Sequence, residues 1–152
     1  MTPIRLLLAC LALSFAAPAA AQEEGIGTIR LKPGVCTLGK SQPVSLGSLV
    51  AAPDAFDGKC VRVTGVSNGR MLYNDRADYD QAMAGPSSAP RAGLYGDPAL
   101  LDALPQDPTP IEVVGKVDRC GGRPFIMGYC HYVADGVILI VTETRKPDHG
   151  VD

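Results

Sequence analysis

Tryptophan is absent from this 152-residue chain, histidine occurs twice, and aromatic side chains make up only 5% of it. Chemistry that needs clustered imidazoles therefore has only His131 and His149 to draw on. No run of Lys and Arg exceeds the pair Arg145-Lys146, and 14 basic side chains face 16 acidic ones, so the electrostatic footprint of a nucleic-acid binder is missing. Cys-x-x-Cys does not occur, which excludes a thioredoxin-like centre, a zinc knuckle of the usual spacing and c-type haem attachment at Cys130-His131. The phosphate-cradling Gly-x-x-x-x-Gly-Lys is missing too. Beyond Ala21 the longest apolar run is Val137-Ile-Leu-Ile-Val141, strand length rather than the roughly 20 residues that cross a bilayer as a helix.

What is present describes one ordinary domain. Apolar residues are 46% and charged residues 20%, while 17 Gly and 13 Pro, a fifth of the chain, favour turns and short strands over long helices. Residues 1–21 carry Arg5, an apolar stretch from Leu6 to Phe15 and a small-residue end at Ala19-Ala20-Ala21, the three parts of a secretory signal. Cleavage there leaves 131 residues with 13 basic and 16 acidic side chains, a net charge of -3, and enough chain for one real core. Leu7-Leu8-Ala9-Cys10 also matches a lipid-attachment pattern, but only a short apolar stretch precedes Cys10, which favours the cleaved signal. The expected location is periplasmic or secreted, in a bacterium.

Removing Cys10 with the signal leaves Cys36, Cys60, Cys120 and Cys130, an even number that reads as two disulfides in an oxidising compartment. Loop entropy does not choose among the three pairings. The local loops contribute about 3.5 and about 2.8 kcal/mol, and the long ones about 4 to 5.

Along the chain, 22–44 reads as a polar leader tied down by Cys36, 45–143 as the folded domain and 144–152 as a polar tail. Ser45 is placed to cap a short helix whose buried face is Leu46, Leu49 and Val50, with Pro53 as its stop. Cys60-Val-Arg-Val-Thr-Gly-Val66 alternates with period two and predicts a half-exposed strand. Asn68-Gly69 predicts a hairpin turn returning through Arg70-Met-Leu-Tyr73. Gly85 to Gly93 is a loop by composition and Leu94-Tyr95 begins a weak strand. Asp97-Pro98 starts a two-turn helix that Pro105 ends. Ile111 to Asp118 alternates again, placing Val113, Gly115 and Val117 on one face and Glu112, Lys116 and Asp118 on the other. Phe125 to Tyr132 is strand or loop, and Val137 to Thr142 is a buried strand.

Val63-Thr-Gly65 and Val113-Val-Gly115 echo one another, and glycine inside a strand lets it curl as a tightly closed barrel requires. The order of elements, with a helix at Asp97 to Leu104 between the third and fourth strands, resembles the five-stranded OB-fold barrel. Phe56-Asp-Gly-Lys-Cys-Val-Arg-Val-Thr-Gly65 and Gly128-Tyr-Cys-His-Tyr132 resemble segments of small exported bacterial proteins of this type. The resemblance covers roughly Ser45 to Thr142 and implies a mainly β, disulfide-stabilised, OB-like barrel with two short helices; it brings no functional residue with it. It also implies that the first and fourth strands are antiparallel neighbours. If Gly65 faces Gly115, Cys60 faces Cys120, so Cys60-Cys120 with Cys36-Cys130 stands beside the local alternative, Cys36-Cys60 with Cys120-Cys130.

Four constellations are candidates for chemistry. Gly65-Val-Ser-Asn-Gly69 matches the nucleophile elbow around Ser67, but a hairpin follows where the elbow needs a helix. His131, beside Cys130 and between Tyr129 and Tyr132, has no nucleophile or orienting carboxylate at a diagnostic spacing, and a hydrogen-bonded histidine at the barrel edge is the expectation. Asn74-Asp75-Arg-Ala-Asp78-Tyr-Asp80 gathers oxygen ligands without calcium-loop spacing and reads as a solvated loop. Tyrosines 73, 79, 95, 129 and 132 with Arg62, Arg70 and Arg123 could stack on a ligand or cover barrel edges.

The expected function is a monomeric, exported, non-enzymatic binding or interaction module for a protein, peptide or saccharide, with no cofactor and no metal. Candidate contact residues are Arg62, Arg70, Tyr73, Tyr95, Tyr129 and His131. The alternative is a small periplasmic hydrolase or metal-dependent enzyme centred on His131 and Cys130.

Overall fold

A computed structural model describes residue 31 and residues 34–121, 128–133 and 136–148. The secretory segment, Cys10, Arg123 and His149 lie outside these residues. The described elements are β1 (Gln42–Pro43), α1 (Leu46–Ala51), β2 (Cys60–Asn68), β3 (Met71–Tyr73), α2 (Arg76–Ala84), β4 (Arg91–Gly96), α3 (Pro98–Asp102), β5 (Thr109–Arg119), α4 (Tyr129–Tyr132) and β6 (Val137–Arg145).

The five longer strands close a barrel in the order β2-β3-β4-β6-β5, with β5 returning to β2. Only β4 and β6 run parallel within it, and α3 lies between β4 and β5, so the barrel is OB-like as the resemblance implied. The two-residue β1 adds a parallel pairing to β2. Alternation builds the interior: Val61 and Val63 of β2, Leu72 of β3, Ala92 and Leu94 of β4, Val113 and Val117 of β5 and Leu139 of β6 are all buried in one cluster. Leu46 and Leu49 of α1 and Leu101 of α3 close its ends.

The glycine echoes mark close backbone approaches. A Cβ on Gly115 would lie 2.8 Å from the carbonyl oxygen of Ile140, and one on Gly65 would lie 2.3 Å from that of Tyr73. The register nevertheless differs from the Gly65-to-Gly115 alignment. Gly65 faces Ile111, Gly115 faces Val61 and Cys60 faces Lys116, so β2 is displaced four residues along β5. Cys60 therefore pairs with Cys36, Cα atoms 5.4 Å apart, and Cys120 with Cys130, 5.1 Å apart. The cross-strand pairing of Cys60 with Cys120 and Cys36 with Cys130 is not formed.

Two local differences have physical causes. The hairpin turn is Gly69–Arg70, one residue later than expected, because Asn68 remains in β2 opposite Met71 and Gly69 adopts φ +56°. Among the described residues four short α-helices are present where two were expected. α2 replaces the expected solvated loop: Asp75 accepts from the N–H of Asp78 at 2.9 Å, Arg76 pairs with Asp80 one turn on, and no residue of the helix is buried, so no apolar period announces it.

Candidate functional site

The candidate contact residues separate into two groups. Tyr95 and Tyr129 pack together on the outer face of β4, where α4 covers the wall, and Tyr73 is buried on the neighbouring strand β3. The Tyr129 ring lies against Gly93: a Cβ there would meet its Cβ, Cγ and Cδ1 at 2.6 to 2.8 Å. Tyr129 donates its hydroxyl to the Arg91 carbonyl at 3.2 Å, and the Cys130 N–H donates to the Tyr95 hydroxyl at 3.1 Å. Tyr95, Cys120 and Ile138, with Tyr129 and Cys130 packed on them, form a second small core outside the barrel. Tyr73 stacks edge to face on Tyr79, with ring centroids 5.4 Å apart. Burial raises the hydroxyl pKa of Tyr73, Tyr95 and Tyr129, opposed by nearby cations or hydrogen bonds: Arg91 for Tyr73 and Tyr129, and the Cys130 amide for Tyr95.

These tyrosines are thus engaged by their own chain, Tyr73 and Tyr95 buried and Tyr129 part-buried. The outermost residues of α4, His131 and Tyr132, are exposed, with Tyr132 84% accessible and its ring edge to face on His131. Cys130 is bonded to Cys120, so its sulfur is not a thiolate in this state. Ser67 is fully buried and donates its hydroxyl to the Gly69 carbonyl at 3.1 Å, which assigns it to the hairpin rather than to an elbow. The acidic stretch is dispersed along α2: Asp75 caps it, Asp78 lies in its first turn and Asp80 pairs with Arg76. Among the described residues no group of three or more His, Cys, Asp or Glu side chains is placed to hold a metal.

Arg62 is in a different place. It lines an open groove of about 570 Å³ with Pro43, Val44, Ser45, Thr64, Asn74, Asp75 and Glu112. The groove forms at a seam. On the edge of β2 away from β5, β1 pairs with Val61 and Arg62, and β3 pairs with Val66 to Asn68, so among the described residues Val63 to Gly65 have no strand partner there. The chain leaves β1 into the Ser45 cap of α1 and leaves β3 into the Asp75 cap of α2, which puts both caps on the groove rim.

Across the wall the ladder sets a row: Thr64 faces Glu112, and Glu112 faces Arg145. Glu112 is only 8% accessible, and a carboxylate so placed needs cations. Arg145 donates Nε to its Oε1 at 2.5 Å, while Arg62 Nε stands 3.6 Å from Oε2, close enough to pair but too far to hydrogen-bond. That hydrogen bond to Glu112 holds the Arg145 guanidinium above its ordinary range. On the opposite rim, Asp75 accepts from the Asp78 amide with Oδ1 and from the Asn74 side chain with Oδ2 at 3.0 Å. Desolvation, then the Asp75 charge, raises the pKa of Asp78. The remaining candidate, Arg70, is on the hairpin turn and pairs with Asp102 at 3.1 Å, outside the groove lining.

The sequence marks Arg62 as a contact residue and holds Ser45, Asn74, Asp75 and Glu112 in separate segments, with nothing local to group them. Glu112 reads there as one more polar residue on a wet strand face, and its partner Arg145 is 33 residues away. Only the register joins them. No protein-family model, curated protein or solved structure matches the chain, so the site rests on its own geometry.

Proposed function

We propose that this chain is an exported, non-enzymatic binding module, acting as a monomer in the periplasm or outside the cell, and that its ligand site is the groove over Thr64. The observation that carries this is a preformed concave surface with polar groups of several kinds, a guanidinium, hydroxyls, an amide and carboxylates, on backbone set by the β2–β5 ladder and by the caps of α1 and α2. Binding sites of this kind need few polar groups, held before the ligand arrives, because ordering them on binding costs affinity. The apolar wall of Pro43 and Val44 supplies contact area. The two disulfides fit an oxidising compartment, and no described helix is long and apolar enough to cross a membrane. A small molecule, a saccharide or a peptide end suits a groove of this size better than a broad protein surface does.

The test is a screen of a small-molecule and oligosaccharide library against the oxidised mature protein, followed by amide chemical shifts. Ligand-induced shifts should cluster at Arg62, Thr64, Asn74, Asp75 and Glu112. A ligand whose shifts instead centre on His131 and Tyr132, or turnover of any library member, would contradict the proposal.

A further inference from the structure

Resting on that groove as the binding site, we infer that its ligand is a peptide, one extended residue of which pairs backbone to backbone with Thr64. Along a strand the N–H and C=O of alternate residues point to the same edge. The Val117 N–H donates to the Lys59 carbonyl at 2.9 Å, so Lys59 and, two by two, Val61, Val63 and Gly65 turn these groups toward β5. The Val44 N–H donates to the Arg62 carbonyl at 3.0 Å, so Arg62, Thr64 and Val66 turn theirs the other way. There β1 serves Arg62 and β3 serves Val66. Thr64 lies between them, and among the described residues neither its N–H nor its carbonyl has a hydrogen-bond partner. The gap has the same cause on both sides. Were β1 continued in register, Ser45 would face Thr64, and were β3 continued, Asp75 would. Both are instead helix N-caps, whose chains turn away into α1 and α2, and both line the groove with Thr64.

Charge does not select the ligand. Arg62 stands beside Glu112, Arg145 is shared between Glu112 and Asp148, the latter at 3.3 Å, and both oxygens of Asp75 accept within the α2 cap. The groove does offer a donor and an acceptor, side by side on one strand edge, that no described residue engages. An extended amino-acid residue matches them, because its own N–H and C=O point the same way and exchange both bonds with the residue opposite. An isolated trans amide does not: its N–H and C=O point in opposite directions, so the acetamido group of a sugar satisfies half the pair at most. Sugar hydroxyls reach the same two groups only by fixing two rotors, whereas the extended residue carries both at the right spacing. The opening sets the length. Arg62 and Val66 are about 13 Å apart along β2, and an extended residue with its two flanking peptide groups spans about 7 Å, so one residue enters where a longer strand would meet β1 and β3. Its side chain falls on the Thr64 face, with Pro43 and Val44 as apolar contacts.

The experiment titrates the oxidised mature protein with a set of tripeptides capped as N-acetyl amides, beside N-acetylglucosamine and maltose, reading the groove amides by NMR. The tightest peptide should bind at least tenfold more tightly than either sugar. In its complex the Thr64 amide should exchange hydrogen at least tenfold more slowly than in the free protein. Replacing the peptide N–H groups one at a time by ester oxygens should reveal one position that costs at least tenfold, the N–H that faces the Thr64 carbonyl, with neighbours that cost less than threefold. Thr64→Pro removes the open N–H at an edge position, where proline is tolerated, and should weaken binding at least tenfold, while Arg70→Gln, outside the lining, should leave it unchanged. Should Thr64→Pro fail to fold, the ester series and the exchange rate decide. A sugar that binds as tightly as the best peptide, a Thr64 amide that exchanges equally fast in the complex, or an ester series without a sensitive position overturns the inference but leaves the groove as a site. Silence of the groove toward every probe and every library member overturns both.

Discussion

Replacing Gly93 with alanine asks how firmly α4 is docked on the barrel. The new Cβ would meet three atoms of Tyr129 at 2.6 to 2.8 Å, where carbon atoms settle at about 3.5 to 4.0 Å. One of those atoms is the Tyr129 Cβ, so a rotation of the ring does not relieve the clash and α4 itself must move by about 1 Å. It is held against such movement by the Cys120-Cys130 bond and by the Cys130 amide on Tyr95. Overpacking of this kind costs about 1 to 3 kcal/mol, with about 0.5 to 1.5 kcal/mol more if the Tyr129 hydroxyl loses the Arg91 carbonyl. Urea unfolding of the oxidised protein measures the sum. Tyr129→Ala alone should also destabilise, because it empties the small outer core. The double variant keeps the contact with the Cβ of residue 129 but loses those with Cγ and Cδ1, and a shortened side chain lets α4 settle more easily, so the two losses should fall short of additive. Strict additivity in the cycle would refute the contact and with it the docking of α4 described above.

Other expectations follow from the same contacts. Because burial raises the folded-state pKa of Tyr73, Tyr95 and Tyr129 above the ordinary 10.0, their stabilising contribution is complete below pH about 10 and is lost as the pH rises through the folded values. Stability measured from pH 8 to 12 should therefore fall at the alkaline end, less steeply in Tyr129→Phe, and a flat profile would contradict the burial. Peptide mapping without reduction should recover Cys36 with Cys60 and Cys120 with Cys130; removing the first bond should cost about 3.5 kcal/mol and the second about 2.8 kcal/mol by loop entropy, and a Cys60-Cys120 peptide would contradict the register. Ser67→Ala should lose about 1 kcal/mol of stability by removing the bond to the Gly69 carbonyl, and should leave ligand binding untouched.

The alternation of Val61, Val63, Val113 and Val117 was enough to place the interior of the barrel, because a period of two leaves a strand no second way to bury one face. The caps at Ser45 and Asp97 were legible for a similar reason, since each supplies an acceptor to first-turn amides. Register was not. The bulge at Val114/Gly115 belongs to the pairing of β5 with β6, and the offset of β2 along β5 depends on contacts that neither strand encodes locally. Both disulfides follow that offset. α2 was illegible because a helix with no buried residue leaves no apolar stripe; it is held by its cap, the Arg76-Asp80 pair and the packing of Tyr79 on Tyr73. For the same reason the tyrosines could be read as stacking on a ligand or as covering barrel edges: composition shows that they are present, not that α4 lies over them. Arg62 could be nominated from its place on a wet strand face, whereas the groove around it exists only after β1, β3 and β5 have been brought to one seam.

The most direct test is a crystal structure of the oxidised mature protein grown with the tightest-binding member of the ligand library. The account predicts the ligand over Thr64, in contact with Arg62 and lying between Val44 and Asn74. A ligand lodged instead against Tyr95 in place of Tyr129, with the groove unoccupied at saturating concentration, would contradict it.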